Sequence, residues 1–248
     1  MSLCSRNAKV VVNDMSQEAA DGVVAEIKAA GGEAVGNYDD VRNGEKVIAT
    51  AVEAFGTVHI VVNNAGILRD VSFHRMSPEE FDIVVQVHLY GCFAMCRAAW
   101  PLMRDQEYGR IVNITSVNGL YGQFGQANYA AAKSGIVGFS KTLAQEGEKR
   151  NIKCNVVAPG AGTAMTATVM PEHMVAAWKP DYVAPIIGYL ASEEAECSGS
   201  IFEAAGGWFG QVKWMRTQGA FFVRTQAPHR RVNSRDISDR LCVLTGHI

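Results

Sequence analysis

A chain of 248 residues with 48% apolar and 19% charged side chains has the make-up of a globular protein long enough for one large core. Its formal net charge of -2 offers no general attraction for nucleic acid or anionic lipid. No run nears the roughly 20 apolar residues of a membrane span, and six cysteines without a CxxC pair or metal-ligand spacing predict free thiols and no metal site.

From Met1 to Lys9 no apolar stretch is long enough for a signal peptide. Short β-rich runs follow at residues 9–13, 33–38, 59–63, 110–115 and 153–158, with helically spaced stretches between them. That alternation predicts an α/β fold, a doubly wound parallel sheet of Rossmann-like type. Gly31-Gly32 and Gly56 stand where glycine ends a helix. Ser77-Pro78-Glu79-Glu80 spells a capping box with proline in the first turn, opening a long helix toward Met103. Residues 1–222 read as one domain. Residues 223–248 read as a basic, disordered tail, in which two aspartates interrupt the arginines.

The segment "SVNGLYGQFGQANYAAAK" carries the chemistry: Ser116 stands just past a strand, Tyr129 thirteen residues later, and Lys133 four after that. Four residues make one helical turn, so Tyr129 and Lys133 share a face. An ammonium there favours the phenolate and is expected to lower the tyrosine pKa, which suits Tyr129 to take a proton from a substrate hydroxyl. Ser116 would hydrogen-bond the same oxygen. The turn "VVNNAG", Val61 to Gly66, follows the third β-rich run directly.

With these motifs in this order the chain resembles the short-chain dehydrogenase/reductase family. Through "NYDDVRNGEKV", "NNAGILRDVSF", "VHLYGCF" and "MPEHMVAAWKPDYVAP" it is similar to the family's (3R)-hydroxyacyl-CoA dehydrogenase branch, over about residues 6 to 222. The resemblance implies hydride transfer from (3R)-3-hydroxyacyl-CoA to NAD in fatty-acid β-oxidation, with an acyl-CoA substrate and a homodimer paired through helices 78–103 and 128–150. It implies a peroxisomal location; the chain shows no targeting signal and would otherwise be cytoplasmic. Ser116, Tyr129 and Lys133 take the catalytic positions. His88 stands where many members carry a catalytic asparagine, and either joins a proton relay or only packs and hydrogen-bonds. For NAD the resemblance selects Asp14 at the adenosine ribose, Asp40 and Val41 at adenine, Asn64 in the asparagine turn, and Ala161, Gly162, Thr163 and Ala164 beside the nicotinamide. Asp14 has the alternative of capping a helix, and Gly162 of merely permitting a turn.

The family also opens with a strand and a TGxxxGxG turn, which this sequence lacks; Met1 to Arg6 reads as the end of the helix that follows them. That first strand is central in the order 3-2-1-4-5, so the expectation is a truncated sheet, unpaired strand edges and weak binding of NADH. "RLCVLTG", residues 240–246, is either a chance apolar run or a strand able to fill the gap. Two rival readings stay open: a carbonyl reductase for another substrate, and a non-catalytic remnant that pairs with a full-length partner.

Overall fold

The computed structural model describes residues 7–163 and 172–217. The expectations for residues 1–6, Ala164, the tail 223–248 and the run 240–246 lie outside them. The chain divides into two units, Met1–Val212 and Lys213–Ile248, and the architecture below belongs to the first.

Two parallel strands open the fold, β1 (Val10–Asn13) and β2 (Ala34–Asn37), joined through α1 (Gln17–Ala29). Helix α1 starts on Ser16, whose hydroxyl takes the Ala19 amide, and ends before Gly31 in the left-handed region at φ 83°. Val24 and Ile27 turn inward onto Val10, Val12 and Ala34. A 3-10 turn (Val41–Asn43) leads into α2 (Gly44–Phe55), which Gly56 closes at φ 89°.

A second sheet of five strands runs in the order β3 (Ile60–Asn63), β4 (Gly109–Ile114), β5 (Ile152–Gly160), β6 (Ile201–Ala205) and β7 (Trp208–Val212). The first four are parallel and β7 is antiparallel to β6. Between them come α3 (Pro78–Val85), a π-helical turn over Gln86–Tyr90, α4 (Gly91–Asp105), α5 (Val117–Tyr121), α6 (Ala127–Gly147), α7 (Glu172–Ala177) and α8 (Ala184–Leu190). The capping box at Ser77 and Glu80 is present, with both reciprocal hydrogen bonds made. Parallel pairing fits the doubly wound expectation, and β4 and β5 each start one residue earlier than the β-rich runs predict.

Every residue of β4 is buried, and its side chains alternate between two cores. Ile111 joins Ile48, Val61, Cys96, Ala99 and Met103 on the face covered by α2, α4 and α6. Val112 and Ile114 meet Val157, Val183 and Leu190 on the face covered by α8. Each such aliphatic side chain contributes roughly 1.5–3 kcal/mol on burial. By contrast β1 is only half-buried, and among the described residues neither β1 nor β3 pairs along the edge facing the other. Among the described residues the strands therefore form two sheets.

The helical run Pro78–Asp105 is long and apolar enough to cross a membrane by length and composition alone. In the fold Val84, Cys92, Cys96, Ala99 and Met103 on this run are buried. Cys92, Cys96, Cys154 and Cys197 are all free thiols, as expected.

What joins the two sheets is α2, which touches β1 and β2 at one side and α4 at the other. The approach to α4 is close enough that a Cβ on Gly44 would lie 2.4 Å from the Ala94 carbonyl. In an open helix Gly→Ala gains up to ~1 kcal/mol. Here the obstacle is backbone, so Gly44→Ala is expected to destabilise by about 1–3 kcal/mol. Urea unfolding of the two proteins checks the sign, and a stabilised variant would contradict the close contact.

Candidate active site

Strand β4 delivers the site. Its last ladder contact carries on through Thr115, whose amide donates to Val157 O at 2.8 Å, and the chain then turns at Ser116, the N-cap of α5. The Ser116 hydroxyl accepts from the Asn118 amide at 3.2 Å. Helix α6 brings Tyr129 and Lys133 up on its inner face. It packs so tightly on α5 that a Cβ at Gly119 would fall 2.5 Å from Lys133 Cβ.

Lys133 is 4% exposed, and its Nζ donates to the Ile114 carbonyl at 2.7 Å. Burial pulls the ammonium down to about 8, which leaves it charged at neutral pH. Nζ stands 5.6 Å from the centre of the Tyr129 ring. The expected lowering of the Tyr129 pKa is not found: burial pushes the phenol up, the neighbouring Ser116 hydroxyl offsets this in part, and Asp70 adds to the rise. Spacing along a helix reveals the neighbour but not the desolvation, and desolvation prevails.

His88 lies in the π-helical turn and its ring meets Tyr129 edge to face, centroids 5.1 Å apart. Its Nε2 sits 2.8 Å from Ile67 O and 3.1 Å from Ile67 N, so it fastens the chain just past the asparagine turn. Gly66 is the glycine this demands, since a Cβ there would be 2.2 Å from His88 Cε1. Burial, with Lys133 nearby, holds the imidazole neutral with a pKa of about 4, and its Nδ1 is buried with no partner. Both readings of His88 find an atom: Nε2 does the fastening and Nδ1 is left for a relay.

The other selected residues gather at the carboxyl ends of strands, where open α/β sheets bind ligands. Asp14, exposed beyond β1, accepts the Ser16 amide at 2.8 Å; the cap itself is Ser16. Asp40 is already engaged, holding Arg42 Nε at 2.9 Å and the Arg42 amide at 2.8 Å, and Arg42 keeps its carboxyl below the usual range. Val41 packs against the start of α4, where a Cβ on Gly91 would meet its Cγ2 at 2.9 Å. Asn64 is exposed beyond β3, and Ala161, Gly162 and Thr163 follow β5. Gly162 does more than permit a turn: a Cβ there would lie 2.0 Å from the Val175 carbonyl. His88 Nδ1, buried and without a hydrogen-bond partner among the described residues, bonds to none of them. Among the described residues no glycine-rich loop lies between them to take a diphosphate.

A serine, tyrosine and lysine set at the carboxyl edge of a parallel sheet define an oxidoreductase of the nicotinamide-dependent, doubly wound class. The short chain dehydrogenase model matches residues 1–174, and the chain belongs to that family. Peroxisomal multifunctional enzyme type 2 of Mus musculus is 49% identical over 251 residues, which cover 98% of this chain and 34% of the mouse protein. The structure of full-length peroxisomal multifunctional enzyme type 2 from Drosophila melanogaster matches with a TM-score of 0.83 at 39% identity, over 98% of this chain and 41% of that one. A short chain dehydrogenase from Mycobacterium avium matches with a TM-score of 0.86 at 36% identity, over 99% of this chain and 88% of that one. The chain thus spans about a third of the length of its mouse relative.

Residues outside the recognised motifs hold the site in place. Asn128, wholly buried beside Tyr129, donates to the carbonyls of Arg69 at 2.9 Å and Glu80 at 3.0 Å. Gln126 donates to Asp70 at 2.6 Å and accepts from Asn118 at 2.8 Å. Their one signal in the sequence is that amides crowd the approach to the tyrosine in "GQANY".

His88 makes the fold acid-sensitive. The unfolded chain takes a proton there near the ordinary 6.5, the folded chain only near 4. Its contribution is complete above pH 6.5 and is lost as pH falls toward 4, by up to about 3 kcal/mol. Denaturant unfolding at pH 7 and pH 4.5 is therefore expected to show a smaller acid loss in His88→Gln than in the parent; equal losses would place the titration elsewhere.

Proposed function

We propose that this chain oxidises (3R)-3-hydroxyacyl-CoA to the 3-oxoacyl-CoA with NAD, as a dehydrogenase of fatty-acid β-oxidation in the peroxisome. The observation that carries the reading is Tyr129 set one helical turn from the buried Lys133 and beyond the strand end that carries Ser116, with a histidine against the tyrosine ring. In the sequence that histidine is the mark of the hydroxyacyl-CoA branch. The two multifunctional relatives, whose names place them in the peroxisome, support the same location.

Tyr129 removes the proton from the substrate hydroxyl, and Ser116 holds that oxygen in line with the phenol. Lys133, charged and fixed to Ile114 O, keeps a cation beside the phenol and reaches the nicotinamide ribose. Asp14 accepts the adenosine ribose hydroxyls and repels the added phosphate of NADP. His88 Nδ1 accepts from a water that carries the proton onward from Lys133. The cofactor supplies the hydride acceptor and, when oxidised, a second positive charge that favours the phenolate.

The direct test offers the chain NAD with (3R)- and (3S)-3-hydroxyacyl-CoA and with other secondary alcohols, and follows NADH formation. Turnover of the (3R) substrate alone is expected. Tyr129→Phe should cut it by roughly 10²–10⁴-fold. A preference for another alcohol, or an unimpaired phenylalanine variant, would overturn the assignment.

The chain pairs with a second copy through α4 and α6. Tyr90 and Phe93 are 47% and 42% exposed, and Phe93 lies 6.5 Å from Phe139 of α6, an aromatic face across both helices. Phe93→Glu is expected to convert the dimer to a monomer in analytical ultracentrifugation with the fold intact by circular dichroism. A variant that stays dimeric would move the interface elsewhere.

A further inference from the structure

Among the described residues Lys133 has no carboxylate partner, and the hydrogen bond that its ammonium makes goes to a residue outside its own helix. What fixes it comes from β4. Three successive residues of that chain segment take hold of α6: Asn113 donates to Ser140 Oγ at 2.8 Å, Ile114 O accepts Lys133 Nζ at 2.7 Å, and the Thr115 hydroxyl donates to the Lys133 carbonyl at 2.7 Å. The third contact is unusual. A helix-interior carbonyl needs only its partner one turn on, so the hydroxyl is a second donor that the helix does not require.

Thr115 is 1% exposed and is itself held on two sides, since its amide donates to Val157 O of β5 at 2.8 Å. Its neighbours in the chain are Ile114, whose carbonyl takes the Lys133 ammonium, and Ser116, the N-cap of α5. We propose that Thr115 is a positioning residue: by pinning the Lys133 carbonyl it sets the roll of α6, and so the register of Lys133 Nζ on Ile114 O and of Tyr129 on Ser116. One β-branched side chain, stiff about χ1, then fixes all three reacting groups relative to one strand end.

The inference rests on reading Tyr129 and Lys133 as the reacting pair, but its test is made on the chain alone. The ammonium of Lys133 is followed by NMR of 13Cε-labelled lysine across pH 6 to 11, its signal identified by loss in Lys133→Arg. The groups facing it are His88 and Cys92 from the π-turn and α4, and Tyr129 from α6. Thr115→Val keeps the shape and deletes the hydroxyl, Thr115→Ala deletes it without the branched methyl, and Thr115→Ser retains it. If α6 rolls, water reaches Nζ and the midpoint rises from about 8 toward the ordinary 10.5. Val and Ala are expected to raise it by about half a unit or more, roughly threefold in the proton equilibrium, while Ser keeps the parent value.

Ser140→Ala, which breaks the neighbouring contact on the same helix, is expected to lower the melting temperature and leave the midpoint in place. An unchanged midpoint in Val and Ala overturns the proposal, and so does an equal shift in Ser140→Ala, since loosening of any kind would then suffice. In the active protein Thr115→Val should lower kcat several-fold with KM for the acyl-CoA unchanged. Absence of hydroxyacyl-CoA turnover in the parent would refute the proposed function, while the lysine titration would still decide the role of Thr115.

Discussion

A buried ammonium held, among the described residues, by a backbone carbonyl is the constraint around which this molecule is built. Lys133 is almost wholly enclosed, and its bond to the Ile114 carbonyl is the contact that lets a charge persist there. A carboxylate in that place would hold the charge more firmly, but it would also cancel the field at Tyr129. A carbonyl dipole satisfies the donor and leaves the charge uncompensated. The consequence is a pKa of about 8, low enough to record the burial and high enough to keep the cation at neutral pH. The same cation and the same burial hold His88 neutral, so its ring can fasten Ile67 without adding a second charge to the cleft.

The elements that can be read from the sequence are those whose causes are local. Short β-branched runs mark the strands, left-handed glycines at positions 31 and 56 mark the helix ends, and Ser77 with Glu80 marks the capping box. The β6–β7 hairpin is legible in principle, because Gly206-Gly207 between two β-rich runs is a hairpin signal and both glycines have positive φ. An expectation of strands alternating with helices has no place for it. The pairing of Asp40 with Arg42, two residues on, is equally close at hand. The rest has no local cause. Thr115 finds a backbone carbonyl eighteen residues away, and a carbonyl leaves no mark in a sequence. Tyr129 titrates high because of what surrounds it, which the interval to Lys133 does not encode.

Amide pairs finish each sheet in the same manner. Asn13 and Asn37 are opposite one another at the ends of β1 and β2, joined at 2.8 Å, and Asn63 and Asn113 repeat the arrangement on β3 and β4 at the same distance. Asn113 lies wholly buried and continues to Ser140, so the asparagine turn after β3 is tied through it to the catalytic helix. An unpaired amide there would cost about 1–3 kcal/mol. By contrast β1 and most of β3 are only half-buried, and among the described residues no strand pairs with their facing edges.

The two halves of the candidate cofactor site therefore belong to different sheets. Ser116, Asn64 and Ala161 follow strands of the five-stranded sheet and Tyr129 and Lys133 stand on α6 packed against it, whereas Asp14 follows β1 of the pair β1–β2 and Asp40 lies just past β2. Their separation is set by helix packing and not by a shared hydrogen-bond ladder. Two glycines govern that packing: Gly44, which lets α2 meet the Ala94 backbone, and Gly91, which admits Val41 beside the start of α4. Gly91 directly follows the π-turn that carries His88. Val41, selected for adenine, thus leans on the element that holds the histidine beside Tyr129. A shift of the adenosine end would be felt at the reacting end through this one contact, because packed backbone transmits displacement and does not absorb it.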